Sequence, residues 1–437
     1  MERPKKCSAV AGLPDDPIVE ILSRVPARDL HRSKCVSKGW RDLIADPLHR
    51  KKLPQTLHGF FPSYPAESFL QSRRSFVNLI PGSPPPFDPS FACLKKDHAI
   101  QRISLLGSCS GLLLFSHDTY ASIRHLGYIL FNPATEQWAA VPSPHNPVDK
   151  HCGLKHTLLV FHPTVSLYFQ LVIFCEEEWK VCAVHSYSSK TGVWRHSKID
   201  WAEEVKQRQL KKSVPNISGT VSHATLFNGM LYLILSNDQI AEVDVDGKTQ
   251  RIISAPPSVG GKSVGSHLIF IGQSQGQLHC INEERWARDI PSELSSRVYT
   301  RDFDDDCDLV SIWVLEDRDT LKWVLKHSVS RMRLFGSTFH EIEVVAIHPD
   351  SNLVFISLDW KQLISYGLDG KEAHIVGKTK DALSFTPYVP CFLGFLSVAE
   401  HKDKLMGCRE ASSKDLARAG QVSAEAGDCS GQRAEMP

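Results

Sequence analysis

Residues 107–111 read Gly-Ser-Cys-Ser-Gly, which places a thiol between small residues in the manner of a catalytic nucleophile. Such a nucleophile must lie on a sharp turn between a strand and a helix, where backbone N–H groups can stabilise an oxyanion. Residues 112–115, Leu-Leu-Leu-Phe, continue instead as a strand. We therefore predict a glycine-rich turn and assign no catalytic role to Cys109.

Two other segments resemble ligand-binding loops only in part. Residues 260–263, Gly-Gly-Lys-Ser, end like a phosphate loop, but Pro256 stands where that loop needs its first glycine. The aspartates between 302 and 308 suggest a calcium loop. With Asp304 as first ligand, however, Leu309 and Leu315 replace the required glycine and glutamate. We predict two plain loops, the second a solvated acidic loop that could also meet a basic substrate.

The 12 cysteines and 20 histidines include no Cys-x-x-Cys pair and no His pair of metal-site spacing on a shared element. The sequence thus predicts no metal site, no cofactor and no catalytic residue. The first residues carry charges but no apolar run, so they do not resemble a secretory signal. We expect reduced, packed thiols and a cytoplasmic and/or nuclear location.

The composition and net charge of the chain limit the classes of partner to be expected. The 437 residues carry 50 Lys+Arg and 49 Asp+Glu, so the net charge of +1 favours neither nucleic acid nor an anionic membrane. Hydrophobic residues make up 42% and charged residues 23%, as in ordinary globular proteins. The most apolar stretch, residues 158–175, is interrupted by His162 and Pro163, and this favours two strands joined by a turn over a membrane helix.

Helical signals are dense in residues 13–52. We predict a helix with Asp16 as N-cap and Pro17 in the first position, because proline's missing N–H costs nothing there. Apolar residues then follow at helical spacing, and Pro26 ends the helix: Ile18, Ile21, Leu22 and Val25.

A second helical stretch is predicted from Asp29, with a bend at Gly39 before Trp40. Its apolar residues are Leu30, Cys35, Val36, Trp40, Leu43 and Ile44. Helices this short cannot bury so much apolar surface among themselves, so part of it is expected to contact a partner. Trp40 is expected to serve both the module's core and that interface.

The remaining chain divides into three parts. Residues 53–99 show no sustained period and are predicted to be a linker. Residues 100–398 consist of short Val/Ile/Leu/Phe/Tyr runs bounded by turn residues, which predicts an all-β domain. Residues 1–12 and the tail 399–437, which lacks aromatic residues, are predicted to be disordered.

The β region repeats weakly. Trp138 and Trp194 each follow a strand and a polar turn, and we expect them to occupy equivalent, structural places in successive repeats. At a kelch-like period of about 50 residues the region holds about six units, which predicts a propeller-like domain with about six irregular blades. A closed ring of small sheets also leaves few exposed edges.

Two groups of phrases carry a resemblance. Residues 13–26, LPDDPIVEILSRVP, and residues 35–44, CVSKGWRDLI, resemble the F-box of plant proteins. The phrases GSCSGLLL at 107–114, NPAT at 132–135 followed by Trp138, YSSKTGVW at 187–194 and NGMLY at 228–232 resemble the kelch-related, F-box-associated β-propeller domain of the same proteins. Two residues depart from the F-box pattern: Ser33 stands where a larger apolar residue is usual, and Pro17 replaces a common leucine.

The resemblance implies a non-catalytic substrate-recognition subunit of a Skp-cullin-F-box ubiquitin ligase. The F-box would bind a Skp-type adaptor, and through it a cullin-RING ligase, while the β domain would bind an unidentified protein to be ubiquitylated. The alternative is a propeller that binds a small molecule or glycan without a ligase role. Adaptor binding is assigned to Leu13, Pro14, Ile18, Ile21, Leu22, Val25, Leu30, Cys35, Val36, Trp40, Leu43 and Ile44.

Overall fold

The structure is a computed structural model. It describes residues 14–25, 36–46, 57–64, 76–79 and 87–96, with single residues between them. It also describes residues 100–395 except 101, 119–124, 145–154, 164, 178–179, 199–223, 236–237, 260–264, 286–307, 337–340, 381 and 392. The predicted disordered ends, the glycine-lysine loop at 260–263 and the aspartates before Asp308 lie outside the described residues.

The described helices are few and short. They are α1 (Asp15–Ser23), α2 (Lys38–Ala45), α3 (Ala92–Lys95) and α4 (Arg331–Phe335). No helix in the described part of the chain is both long and apolar enough to cross a membrane. The apolar stretch at 158–175 instead spans the end of one strand and the start of the next, as predicted.

Five antiparallel sheets of four strands follow one another along the chain. The first two contain β3 (Arg102–Cys109), β4 (Leu112–Asp118), β5 (His125–Asn132) and β6 (Gln137–Pro142), then β7 (Lys155–Val160), β8 (Gln170–Glu177), β9 (Lys180–Ser188) and β10 (Val193–Lys198). The third contains β11 (Ala224–Phe227), β12 (Met230–Ile234), β13 (Gln239–Val243) and β14 (Thr249–Ser254).

The fourth and fifth sheets repeat this order. They contain β15 (Gly265–Ser274), β16 (Gln277–Arg285), β17 (Leu309–Asp317) and β18 (Lys322–Ser330), then β19 (Ile342–Ile347), β20 (Leu353–Leu358), β21 (Gln362–Gly367) and β22 (Glu372–Lys378). In each sheet the strands pair in sequence order, because each is a series of hairpins.

The sixth sheet joins the two ends of the domain. Its strands are β1 (Gly59–Ser63), β2 (Val77–Asn78) and β23 (Ser384–Tyr388), in the order β2-β1-β23. The prediction of a linker over 53–99 is therefore wrong for β1 and β2, which belong to the propeller. The pattern was hidden because β1 is short and its partner β23 lies at the far end of the domain, with Phe60 opposite Pro387.

The six sheets form a closed ring, so the predicted six-bladed propeller is confirmed. First strands of neighbouring blades contact each other in the pairs β3–β7, β11–β15 and β15–β19, and β23 completes the circle between β19 and β3. The second and third blades share a buried apolar cluster. An aromatic cluster fills the seam between the sixth blade and the first, where the chain closes: Phe61, Phe76, Phe87, Phe91 and Tyr388. Burial of these rings provides apolar packing where only five-residue strands join the ends.

Candidate functional site

Helix α1 begins at Asp15, with Pro14 in the N-cap position and no side-chain cap. The predicted N-cap, Asp16, instead lies within the first turn, and Pro17 is the third helical residue. The first four N–H groups of a helix have no partner within the helix, so Pro17 removes no hydrogen bond. Proline here is benign, as expected, although the helix begins earlier than predicted.

The apolar stripe of α1 divides between core and surface. Leu22 and Val19 are buried, and Ile18 and Val25 pack beside them. Ile21 leaves 52% of its surface exposed. The stripe predicted from the sequence omitted Val19, because spacing alone cannot say which edge of a wide apolar face meets the rest of the module.

Helix α2 begins after Ser37, whose Oγ accepts a hydrogen bond from the backbone N of Trp40 at 3.1 Å. The predicted bend at Gly39 is therefore wrong: Gly39 lies inside α2, and the chain changes direction at the Ser37 cap. Val36, just before the cap, is 65% exposed. Trp40 packs partly against the module's core.

The predicted adaptor residues separate into three groups. Leu22, Leu30, Leu43 and Ile44 form the small core with Val19, while Ile18, Val25 and Trp40 line its edge. Pro14, Ile21 and Val36 lie on the surface. Leu13 and Cys35 lie outside the described residues, as does Asp29, the predicted start of the second helical stretch.

The turn that carries Cys109 is a hairpin, as predicted. Ser110 and Gly111 both have positive φ and connect β3 directly to β4. Burial raises the pKa of the Cys109 thiol, and its Sγ donates to the Phe161 carbonyl oxygen at 3.4 Å. Cys109 is partly buried, and a thiol held in its neutral form is a weak nucleophile, so the geometry favours a packing role.

The recurring tryptophans join neighbouring blades. Trp138, Trp194 and Trp323 each hold the second position of their sheet's outer strand. Trp194 Nε1 donates to the carbonyl oxygen of Pro142 at 2.9 Å, and Trp323 Nε1 to that of Ser254 at 3.1 Å. Each acceptor ends the outer strand of the preceding blade. Trp138 packs, partly buried, against the core cluster that includes the closing seam. Trp138 and Trp194 therefore occupy equivalent strand positions, as predicted, and their structural role stays a prediction.

An ion pair that involves a buried carboxylate joins two blades, and the sequence did not predict it. Glu242 on β13 is buried and pairs with Arg318, from the turn between β17 and β18, and with Arg251 Nε at 3.5 Å. Burial, reinforced by the charge of Glu242, raises the pKa of the nearby Tyr232 hydroxyl to about 12. Arg251 and Tyr232 lie opposite Glu242 on neighbouring strands of the third blade, whereas Arg318 is distant in sequence and follows no motif, so only the fold brings it to Glu242. Their place between the third and fourth blades indicates a structural role.

Titratable residues do not gather into a metal centre within the part of the chain that the structure describes. His185 and His196 form the nearest approach to one, with their Nδ1 atoms 3.4 Å apart on neighbouring strands. Burial also raises the pKa of the Cys280 thiol well above its usual value. The exposed surfaces and the contacts between blades are therefore the described features that bear on function.

Comparison with known proteins agrees with a division of the chain into an F-box and a β-propeller. The F-box domain family matches residues 11–52, and the family described as "F-box protein At3g26010-like, beta-propeller" matches residues 88–418. The second match begins after β2, so it omits two strands that close the ring.

Individual relatives are distant. F-box protein At5g07610 of Arabidopsis thaliana is 28% identical over 41% of this chain and 44% of its own length. The putative F-box/kelch-repeat protein At4g22430 of the same plant is 25% identical, over 46% of this chain and 47% of its own. The chain thus spans about half the length of these relatives. F-box protein At5g49610 is 23% identical over 73% of this chain and 79% of its own length. With the propeller family matched over more than half of its residues and an F-box before it, this chain belongs to the At3g26010-like β-propeller family of F-box proteins.

Proposed function

We propose that this protein is the substrate-recognition subunit of a Skp-cullin-F-box ubiquitin ligase. In this proposal the F-box binds a Skp-type adaptor and the propeller binds the protein to be ubiquitylated. The observation that carries it is the exposure of Ile21 and Val36 on a module whose other described aliphatic residues are mostly buried.

Exposed aliphatic side chains on so small a module are best explained by an interface. Ile21 and Val36 are more than half exposed, although the module has few apolar residues from which to build a core. Burying such side chains against a partner removes apolar surface from water and stabilises the complex by about 25 cal/mol per Å². An F-box is an adaptor-docking module by family resemblance, so a Skp-type adaptor is the partner that fits.

The propeller suits the second half of the proposal. Its blades are tied together by buried aromatic rings, tryptophan hydrogen bonds and the ion pair between Glu242 and Arg318, so its loops start from a rigid frame. Rigid frames with variable loops are typical of recognition domains. The thiols of Cys109, which is partly buried, and of Cys280, which is buried, both have raised pKa values and are therefore weak nucleophiles. This supports a receptor whose chemistry is supplied by the ubiquitin-conjugating enzyme.

Direct binding to a purified Skp-type adaptor tests the proposal. The double variant Ile21→Asp/Val36→Asp changes only exposed side chains, so the module should still fold. We expect its affinity to fall by about a hundredfold, since two charges would be buried at the interface. The control Val165→Asp alters a propeller residue that is 74% exposed and should bind like the unchanged chain. Equal adaptor binding by the double variant would refute this interface, and absence of binding by the unchanged chain would refute the proposed function.

A further inference from the structure

One hairpin turn of the propeller holds a bulky residue at positive φ. Three turns hold a pair of residues at positive φ whose second member is glycine: Ser110-Gly111, Asn228-Gly229 and Gln275-Gly276. The turn between β20 and β21 holds Asp359 and Trp360 at φ 48° and 53°. A bulky residue is strained in this conformation, which glycine adopts freely. Those three turns join the first and second strands of their blades, whereas this turn joins the second and third strands of the fifth blade. The likeness is one of backbone conformation: Trp360 adopts a positive φ that glycine adopts without strain.

The Trp360 side chain also lies at the surface. It is 44% exposed, the only described tryptophan to rank among the chain's exposed large apolar residues. The tryptophans at the blade seams, in contrast, are partly buried and two of them donate hydrogen bonds to the neighbouring blade. Strained backbone at an exposed aromatic residue is a feature that functional sites accumulate, because packing alone gives no reason to keep it.

The backbone around Trp360 is held firmly. Thr379 donates from its backbone N to the Lys361 carbonyl oxygen at 2.8 Å, and from its Oγ1 to the Trp360 carbonyl oxygen at 3.4 Å. The segment that contains Thr379 leads on to Leu383, which is 56% exposed and whose backbone N donates to the Ser63 carbonyl oxygen at 2.7 Å. Trp360 and Leu383 are therefore exposed apolar side chains on segments that backbone hydrogen bonds hold in place.

Basic residues flank these apolar side chains. Lys361 follows Trp360, and Lys378 and Lys380 stand on either side of Thr379; all three are exposed. Within the described part of the chain, none of the three forms an ion pair with an acidic side chain. Among the described residues, the acidic side chains at the turn are Asp359, whose carboxylate accepts a hydrogen bond from the Glu341 backbone N at 3.0 Å, and Glu341 itself. Asp381, which follows Lys380, lies outside the described residues. The three lysines therefore outnumber the two described acidic side chains beside an exposed aromatic ring.

We propose that Trp360, Leu383 and these three lysines form a docking surface for an acidic peptide segment that carries a large apolar side chain. The tryptophan and leucine would contact the apolar side chain, and the lysines would attract the flanking carboxylates. Tryptophan is over-represented among residues that dominate binding energy, and complementary charge speeds encounter and sets specificity. This assignment rests on the proposed function, in which the propeller holds a substrate, and names the chemistry of the segment held.

Selection from a random peptide library on the intact chain tests the docking surface. Enriched peptides should be acidic and contain an aromatic or aliphatic residue. Fluorescence anisotropy with the labelled peptides should show binding that weakens at high ionic strength. The Trp360→Gly variant should bind them at least about tenfold more weakly while its Tm is unchanged or higher, because glycine relieves the strained turn.

Variants with equal changes in net charge distinguish an effect of these particular lysines from an effect of net charge alone. The double variant Lys378→Glu/Lys380→Glu should lose binding, whereas Lys190→Glu/Lys198→Glu in the second blade, with the same change in net charge, should retain it. The docking surface is overturned if no peptide is enriched, if enriched peptides are basic or neutral, or if they bind the Trp360→Gly variant equally. A lower Tm of Trp360→Gly would also overturn it, since Trp360 would then be a packing residue.

Adaptor binding is measured on the same variants. Trp360→Gly should bind the Skp-type adaptor normally, so loss of peptide binding with adaptor binding retained isolates the docking surface. Failure of the unchanged chain to bind the adaptor, with peptide binding intact, would instead refute only the ligase role.

Discussion

Single side chains carry much of the contact between blades. Trp194 packs against Tyr187 of its own blade, with ring centroids 5.3 Å apart, and reaches Pro142 of the preceding blade through its Nε1. We expect Trp194→Ala to lower the free energy of unfolding by about 3 kcal/mol, because it removes both the ring and the hydrogen bond. Trp194→Phe should lose only about 1 kcal/mol, chiefly that of the hydrogen bond. Denaturant titration measures both; if Trp194→Ala unfolds like the unchanged chain, the seam role is wrong.

At the scale of elements, glycine serves two needs in the hairpin turns: it adopts a positive φ, and it leaves room for a close neighbour. Gly111 and Gly229 both have positive φ, but a Cβ on Gly111 would lie 2.3 Å from Cys391 Cβ, whereas a Cβ on Gly229 would meet nothing within 4 Å. We expect Gly229→Ala to cost about 1 kcal/mol of stability through backbone strain alone. Gly111→Ala should cost at least about 2 kcal/mol more, since Cys391 must also move. Equal costs in chemical denaturation would contradict this difference.

The same elements show how much of the structure could be predicted from the sequence. The helical spacing around Leu22 predicted α1 to within two residues at each end, and the paired turns predicted the hairpins. The exposure of Ile21 and the burial of Val19 could not be predicted, because spacing defines a face while neighbouring elements decide which part of it is covered. Trp360 was also missed, because a strained turn residue is visible only in the backbone angles.

For the whole molecule, ring closure was the feature that the sequence concealed. The closing blade takes β1 and β2 from the segment predicted to be a linker and β23 from the other end of the domain. Pairing between such distant segments leaves no local period, and two of these strands are only two and five residues long. The six-blade repeat was nevertheless readable, because each complete blade is built from sequential hairpins.

One buried histidine, His279, and two partly buried ones, His327 and His348, are expected to make the stability of the whole propeller depend on pH. Burial lowers the pKa of His279, His327 and His348 below the ordinary value of 6.5. The unfolded chain therefore binds protons more readily, so stability is fully present above pH 6.5 and is lost as the pH falls below it. Tm should decline in that window, and His279→Asn should reduce the decline, whereas the exposed His374→Asn should not. A flat Tm across this range in the unchanged chain would contradict the account.

The central claim is that one chain connects a Skp-type adaptor to a captured protein. The most direct measurement is affinity purification of the intact chain and of its Ile21→Asp/Val36→Asp variant from cells treated with a proteasome inhibitor. The account predicts that the intact chain recovers the adaptor, a cullin and ubiquitylated forms of the proteins held by the propeller. The variant should recover the same proteins without adaptor, cullin or added ubiquitin. Recovery of adaptor and cullin equally by both chains, or by neither, would contradict it.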